Sequence, residues 1–303
     1  MRFVDLPGTD LSLSRLGFGT SGLMARRGRR ESLRLLEVAH ESGITHFDTA
    51  RAYGYGEAES VLGEFLRSRR DSVTVTTKVG LLPPGRWRGL RGAKAAARVA
   101  ARALPPLRPL LRRGAQSLGS SGSFAPDQAR SSLETSLREL GIETVDLLLL
   151  HECRPADAET DGLLEFLLDA VREGKVRHFG LATDRESTLA ITARHPQLAR
   201  VVQVAHSASD PPLVLPAGVG LVTHSALAPL LNPPVQLTRQ AGWPPQSTGR
   251  LLLASALRSN PGGAVLFSSG DPARIRANAA LAEPGAVGTD ELERFERLAT
   301  GQA

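Results

Sequence analysis

VDLLLLH at 145–151 is aliphatic at nearly every position before its closing histidine. A strand wet on one face alternates apolar and polar residues. A near-continuous apolar run belongs to a strand buried on both faces, as in a parallel sheet covered by helices. Before it lies SFAPDQARSSLETSLRELG (123–141), which reads as a helix with Asp127 and Gln128 near its start and Gly141 as its stop. After it DGLLEFLLDAVREGK (161–175) repeats the helical spacing, and KVRHFGLAT (175–183) is again a strand. Strand and helix in alternation imply parallel strands joined by helical crossovers.

The alternation continues in both directions. Toward the N-terminus stand the strand SVTVTTK (72–78), the helix ESVLGEFLRSR (59–69), the strand ITHFDTA (44–50), the helix RESLRLLEVAHESG (30–43) and the strand LSRLGFG (13–19). Toward the C-terminus come the helix RESTLAITARH (185–195) and the strand LARVVQVAH (198–206). Only PPLVLPAG (211–218) then precedes the strand VGLVTHSAL (219–227), and its prolines leave no room for a normal crossover helix. STGRLLLASALRSN (247–260), GGAVLFSS (262–269) and DPARIRANAALA (271–282) complete the series, with Asp271 as helix cap and Pro272 in the first turn. Eight strands with interleaved helices fit an α/β chain closed as a (β/α)8 TIM barrel, with its sixth crossover helix reduced or missing. An open doubly wound sheet also satisfies the periodicity. Residues 1–303 are expected to form one barrel domain, interrupted after the third strand by a long basic loop at 81–125.

In such a barrel the reactive groups gather where the strands end. Consecutive strand ends supply Asp48 with Tyr53 just beyond, then Lys78, then His151. Each residue alone also fits a structural role: a helix cap, a packed aromatic, a solvated cation, a satisfied histidine. Together they make a chemical set. A phenol with an ordinary pKa near 10 needs a neighbouring cation to act as acid and base at neutral pH, which Lys78 supplies and Asp48 holds in place. His151 can donate a hydrogen bond to a substrate oxygen.

With those residues in view, FDTARAYGYGEAESVLGEFL (47–66), TTKVG (76–80) and SSLETSLRELGIETVDLLLLH (131–151) resemble the aldo-keto reductase family, and LSRLGFGTSGL (13–23) resembles its first strand. The resemblance implies a catalytic set of Asp48, Tyr53, Lys78 and His151. It also implies NADPH, or less often NADH, bound without a G-x-G-x-x-G fingerprint and without a metal. Around the nicotinamide it places Gly19, Thr20, Asp48, Thr183, Gln203 and the segment His224, Ser225, Leu227. At the adenosine phosphate it places Ser268, Ser269, Arg274 and Asn278. Three features depart from the pattern: Ala182 and Thr183 replace a Ser-Asn pair, His224 replaces a stacking aromatic, and Ser268 replaces a lysine. The implied reaction reduces an aldehyde or ketone, or oxidises an alcohol. Two other readings stay open: proton transfer without redox turnover, and a non-catalytic cofactor-binding regulator or scaffold.

Charge narrows the partners. The net charge is +6, yet residues 81–125 carry nine cations and no acid, and the rest of the chain has fewer basic than acidic residues. A general nucleic-acid coat is therefore excluded, and the sparse aromatics of 81–125 argue against an RNA platform. The segment, with a short basic helix at 92–104, reads either as a solvated loop or as a contact for an anionic substrate or an acidic carrier protein. A lone cysteine, Cys153, and the lack of an apolar leader or spanning stretch point to the cytoplasm and away from a membrane.

Overall fold

The structure is a computed structural model that describes residues 1–24, 27–82, 123–227, 241–244 and 247–300. Eight parallel strands close into a barrel: β3 (Leu16–Gly19), β4 (His46–Asp48), β5 (Thr74–Val79), β6 (Val145–His151), β7 (Val176–Ala182), β8 (Val201–Ala205), β9 (Gly220–His224) and β10 (Ala264–Phe267). Each pairs with the next in sequence, and β10 returns to β3 with Leu266 opposite Gly17. The open-sheet alternative is thereby set aside.

Pleating assigns each side chain to one of two layers. Leu147, Leu149, Ala182, Val201, Val222, Ala264 and Leu266 point inward and fill the barrel. Phe18, Phe47, Val75, Val79, Leu148, Phe179 and Val265 point outward beneath the helices. That outer layer packs against α1 (Arg29–Glu41), α2 (Ala58–Leu66), α3 (Pro126–Leu140), α4 (Pro155–Ala158), α5 (Leu163–Arg172), α6 (Arg185–Arg194), α7 (Ser247–Ser259) and α8 (Pro272–Ala280). Gly180 lets β7 lie against β8, since a Cβ there would overlap the Val201 carbonyl.

Several expectations are refined. The stretch read as one strand at 13–19 is broken at Arg15: β1 (Phe3–Asp5) and β2 (Ser12–Ser14) pair as a hairpin before β3 begins. Leu6, Leu11 and Leu13 of that hairpin seal the N-terminal end of the barrel. Arg15 turns out to the carbonyls of Leu257 (2.7 Å) and Asn260 (2.6 Å) at the end of α7. A further helix, α9 (Thr289–Ala299), packs Leu292 and Phe295 against Leu251, Leu252 and Ala254 of α7. Between β8 and β9 residues 206–219 contain no helix, as the prolines required.

The segment after β5 leaves and returns at one place, because the Ser123 amide donates to the Gly80 carbonyl at 3.1 Å. Gly80 has φ 115, and a Cβ on it would lie 2.5 Å from the Phe124 ring. The basic helix expected at 92–104 lies outside the described residues, as do 83–122 as a whole. Among the described residues no helix is long and apolar enough to cross a membrane.

Candidate active site

A cavity of about 470 Å³ opens at the C-terminal ends of the strands. Gly19, Asp48, Tyr53, Lys78, His151, Thr183, Gln203, His224, Ser225, Leu227 and Ser268 all line it. Residues far apart in sequence meet there because each strand contributes its last inward-facing position.

Lys78 is the centre of the polar set. Its Nζ donates to both carboxylate oxygens of Asp48 at 2.7 Å and to the Thr49 carbonyl at 2.9 Å. The Tyr53 hydroxyl lies 3.3 Å away, the longest of the four contacts, as expected when three protons serve four acceptors. Burial pulls the Lys78 pKa down, but Asp48 and Tyr53 outweigh it, so the ammonium is held above its ordinary range and stays charged.

Tyr53 opens a tight turn, Tyr53–Gly56, in which Gly54 (φ 58) and Tyr55 (φ 59) are left-handed. Gly54 suits its place, because a Cβ would come within 2.9 Å of the Leu23 carbonyl. The phenol does not behave as its cationic neighbour alone would dictate. Burial raises its pKa and Asp48 adds to that, while Lys78 pulls down without winning. Tyr53 therefore keeps its proton across the neutral range.

His151 packs edge-on to Tyr53, with ring centroids 5.7 Å apart at 87°. Burial, then Lys78 and His224, push its pKa down to about 3. It is a neutral imidazole that can donate a hydrogen bond but is not an imidazolium acid at neutral pH, and its buried Nδ1 has no partner among the described residues.

Gln203 donates its Nε2 to Asp48 at 3.0 Å, and its Oε1 is buried without a partner among the described residues. A buried carbonyl oxygen without a donor is costly, and a ligand amide would satisfy it. The nicotinamide carboxamide carries such a donor, so the residues present fit that group. His224 holds the Ser225 hydroxyl at 2.8 Å through Nδ1, and Ser225 has φ 63. Burial lowers the His224 pKa, so the ring offered to the cavity is a neutral plane. Ser268 is occupied with the Gly19 carbonyl at 2.8 Å.

Thr20 departs from its expected role. It is wholly buried, its hydroxyl is given to Thr49 at 2.9 Å, and it does not line the cavity. Ser269, Arg274 and Asn278 also lie off the cavity, at the start and along α8. There Asp271 caps the Ala273 amide at 2.9 Å, the Asp271 amide donates to the Ser269 hydroxyl at 3.2 Å, and Arg274 stands exposed 3.4 Å from the Asp271 carboxylate.

The structure adds residues that the sequence reading passed over. Ser21, Glu152, Asp184 and Ala205 line the cavity. Glu152 follows His151 with φ 55, and burial, with Asp184 nearby, lifts its carboxyl above the usual range. Asp184 caps α6 through the Ser187 amide at 2.9 Å, which lowers its own pKa. Both neighbour a chosen residue in sequence, and that adjacency was the available signal. Arg27 lies against Gly270, where a Cβ would overlap its guanidinium, and so stands beside the Ser269–Asp271 turn. Among the described residues no group of three or more His, Cys, Asp or Glu is placed to hold a metal ion.

The chain's relatives point to one family. The model of the Aldo/keto reductase family matches residues 15–208. The pyridoxal 4-dehydrogenase of Microbacterium luteolum is 32% identical over 154 residues, 48% of this chain and 41% of that protein. The probable aldo-keto reductase 1 of Glycine max is 28% identical over 228 residues, 71% of this chain and 56% of that one. The chain thus spans about half the length of the curated relatives it matches. Among solved structures, the holo aldo-keto reductase from Bacillus halodurans superposes with a TM-score of 0.75 at 20% identity, covering 98% of this chain and 96% of that one. The Klebsiella pneumoniae aldo-keto reductase in complex with NADPH gives 0.67 at 21% identity, over 99% and 95%. With the fold closed, the polar set assembled and the family model matched over more than half its length, this chain belongs to the aldo/keto reductase family.

Proposed function

We propose that this chain, one barrel domain over 1–303, is an NADPH-dependent oxidoreductase, with NADH as the alternative, that reduces an aldehyde or ketone or oxidises the corresponding alcohol. The observation that carries the proposal is the Tyr53 hydroxyl 3.3 Å from the Lys78 ammonium, itself locked by Asp48, inside the cavity that His151 lines. The names of relatives such as the pyridoxal 4-dehydrogenase and the D-threo-aldose 1-dehydrogenase of a Pseudomonas species fit carbonyl and alcohol chemistry.

When bound, the nicotinamide supplies or accepts the hydride. Gln203, Thr183, Gly19, His224, Ser225 and Leu227 would hold its ring end, and Ser268, Ser269, Arg274 and Asn278 its adenosine phosphate end. The chain's own work is to place a substrate oxygen between the Tyr53 hydroxyl and the neutral His151 ring. Because burial raises the Tyr53 pKa, the phenol holds its proton until that oxygen gains negative charge. The proton then passes from Tyr53 to the substrate oxygen, and Lys78 balances the phenolate left behind. In the oxidative direction Tyr53 must first lose its own proton, which its raised pKa opposes at neutral pH, and the phenolate then takes the alcohol proton. The ends of the 81–125 segment meet at Gly80 and Ser123, with Gly80 against the His151 carbonyl, and the cations that its sequence carries favour a substrate or carrier protein bearing negative charge.

Titrating the protein with NADPH and NADH by fluorescence tests the cofactor; no binding of either below millimolar concentration removes the proposal. Tyr53→Phe tests the donor: turnover should fall by at least about 100-fold with NADPH affinity intact, and unchanged turnover would deny Tyr53 its role.

A further inference from the structure

On the opposite face of β5 from Lys78 lies a second polar cluster that the proposed chemistry does not use. Thr77 points outward into the helix layer and donates its hydroxyl to Glu59 Oε1 at 2.7 Å. Glu59 sits in the first turn of α2, and its other oxygen, Oε2, receives Arg51 Nη1 at 2.9 Å. All three are buried: Arg51 is 8% exposed, Glu59 1% and Thr77 0%.

Placement gives the cluster its meaning. Arg51 lies between Asp48 and Tyr53, and Thr77 is the residue before Lys78. Two links therefore join the same two pieces of chain, one on each side of β5. Inside the barrel the link is Asp48 and Tyr53 to Lys78; outside it is Arg51 through Glu59 to Thr77. The turn after Arg51 cannot hold itself by backbone preference, because left-handed Tyr55 is a strained conformation that something else must offset. A buried ion pair is a poor source of net stability but a strict geometric constraint, since neither charge can leave without stranding the other.

We propose that Arg51, Glu59 and Thr77 form a positioning clamp that fixes the Tyr53 phenol against the Lys78 ammonium by tying the Tyr53 turn to the outer face of β5. They act through Tyr53 and touch no reacting atom. The inference rests on Tyr53 as proton donor for its importance to turnover, but its readout does not.

The chain has two tyrosines, so in a Tyr55→Phe background Tyr53 is the sole phenol. Its titration can be followed by phenolate absorbance, or by the ring-carbon resonance of isotope-labelled tyrosine, over the range in which circular dichroism remains native. Lys78, Asp48, His151 and Glu152 face the phenol and stay unchanged throughout. Thr77→Val removes the hydroxyl alone. The double variant Arg51→Met, Glu59→Gln removes both charges together, leaving neither stranded. In the parent, burial holds the Tyr53 midpoint above 10. In both variants the released turn should carry the phenol into water, and its midpoint should fall to near the ordinary value of about 10. Leu292→Ala, in the remote contact of α9 with α7, should lower thermal stability without moving the phenol.

A Tyr53 midpoint that is unchanged or raised in both folded variants overturns the clamp, and so does an equal displacement by Leu292→Ala. The two proposals fail separately. If NADPH does not bind yet the midpoint moves, the clamp stands and the oxidoreductase reading falls; if Tyr53→Phe abolishes turnover while the midpoint stays fixed, the reverse holds.

Discussion

Gln203 gives its side-chain nitrogen to Asp48 at 3.0 Å and keeps its oxygen buried without a partner among the described residues. The amide is thereby oriented: the Asp48 carboxylate accepts only, so Gln203 must turn its nitrogen inward and present its oxygen elsewhere. A fixed, unsatisfied acceptor is matched to a ligand N–H.

Replacing Gln203 by Leu removes that acceptor at similar volume. NADPH affinity, read by fluorescence titration, should fall by about 10-fold, the worth of one hydrogen bond to an otherwise stranded group. The melting temperature should change little, because the variant also relieves a buried orphan. An unaltered affinity would show that Gln203 serves Asp48 alone.

Lys78 and Asp48 are buried as a pair, so their substitutions should not add. Lys78→Met leaves the Asp48 carboxylate with Gln203 as its remaining side-chain donor and should cost about 3–5 kcal/mol in urea denaturation. Asp48→Asn combined with Lys78→Met should cost clearly less, because no charge is stranded. Both should lack turnover. Strict additivity would mean that the two charges do not depend on each other.

Among the histidines that burial holds neutral, two are displaced furthest: His46, pushed down to about 4, and His151, pushed down to about 3. In the unfolded chain each takes up a proton as pH falls through about 6.5. Below that value the unfolded state binds more protons than the native state, so stability falls as the solution is acidified toward pH 4. Each histidine should contribute a slope of about 1.4 kcal/mol per pH unit in that window. His46→Gln should flatten the pH dependence of the unfolding free energy by one proton; an identical slope would refute the assignment. Turnover should show no limb from His151 near pH 6.

These relationships mark what the sequence could and could not reveal. Barrel strands such as 145–151 are legible because burial on both faces leaves a long apolar run, and the prolines of 211–218 announce a missing helix by removing backbone donors. Asp48, Tyr53, Lys78 and His151 are legible because each stands at the end of a strand or just beyond it, on one rim. The hairpin before Leu16 was hidden because β2 and β3 join without a turn signal, and only tertiary contact turns Arg15 outward. Directions of titration were hidden as well. Lys78 beside Tyr53 suggests a lowered phenol pKa, but burial is a property of the assembled rim and it dominates. Thr20 shows the same limit, because sequence places it at a strand end without showing that its hydroxyl turns to Thr49.

Selectivity between the two nicotinamide cofactors should rest on Arg274. Its side chain is 78% exposed and only loosely engaged by Asp271 at 3.4 Å, so it is available to an anion near the start of α8. The same Asp271 carboxylate caps the Ala273 amide and places a negative charge where a phosphate would approach the helix. Arg274 must therefore overcome Asp271 as well as bind, which makes its loss more damaging. Arg274→Ala should weaken NADPH by about 10- to 100-fold, the range of a charge-assisted contact, and leave NADH within about twofold, since NADH lacks the 2′-phosphate. Asp271→Asn should shift preference the other way, tightening NADPH while keeping a helix cap. The ratio of the two dissociation constants, measured by fluorescence at one ionic strength, reads both effects. If Arg274→Ala weakens both cofactors equally, the arginine serves the fold of α8 and the phosphate is held elsewhere, with Arg27 against Gly270 as the next residue to substitute.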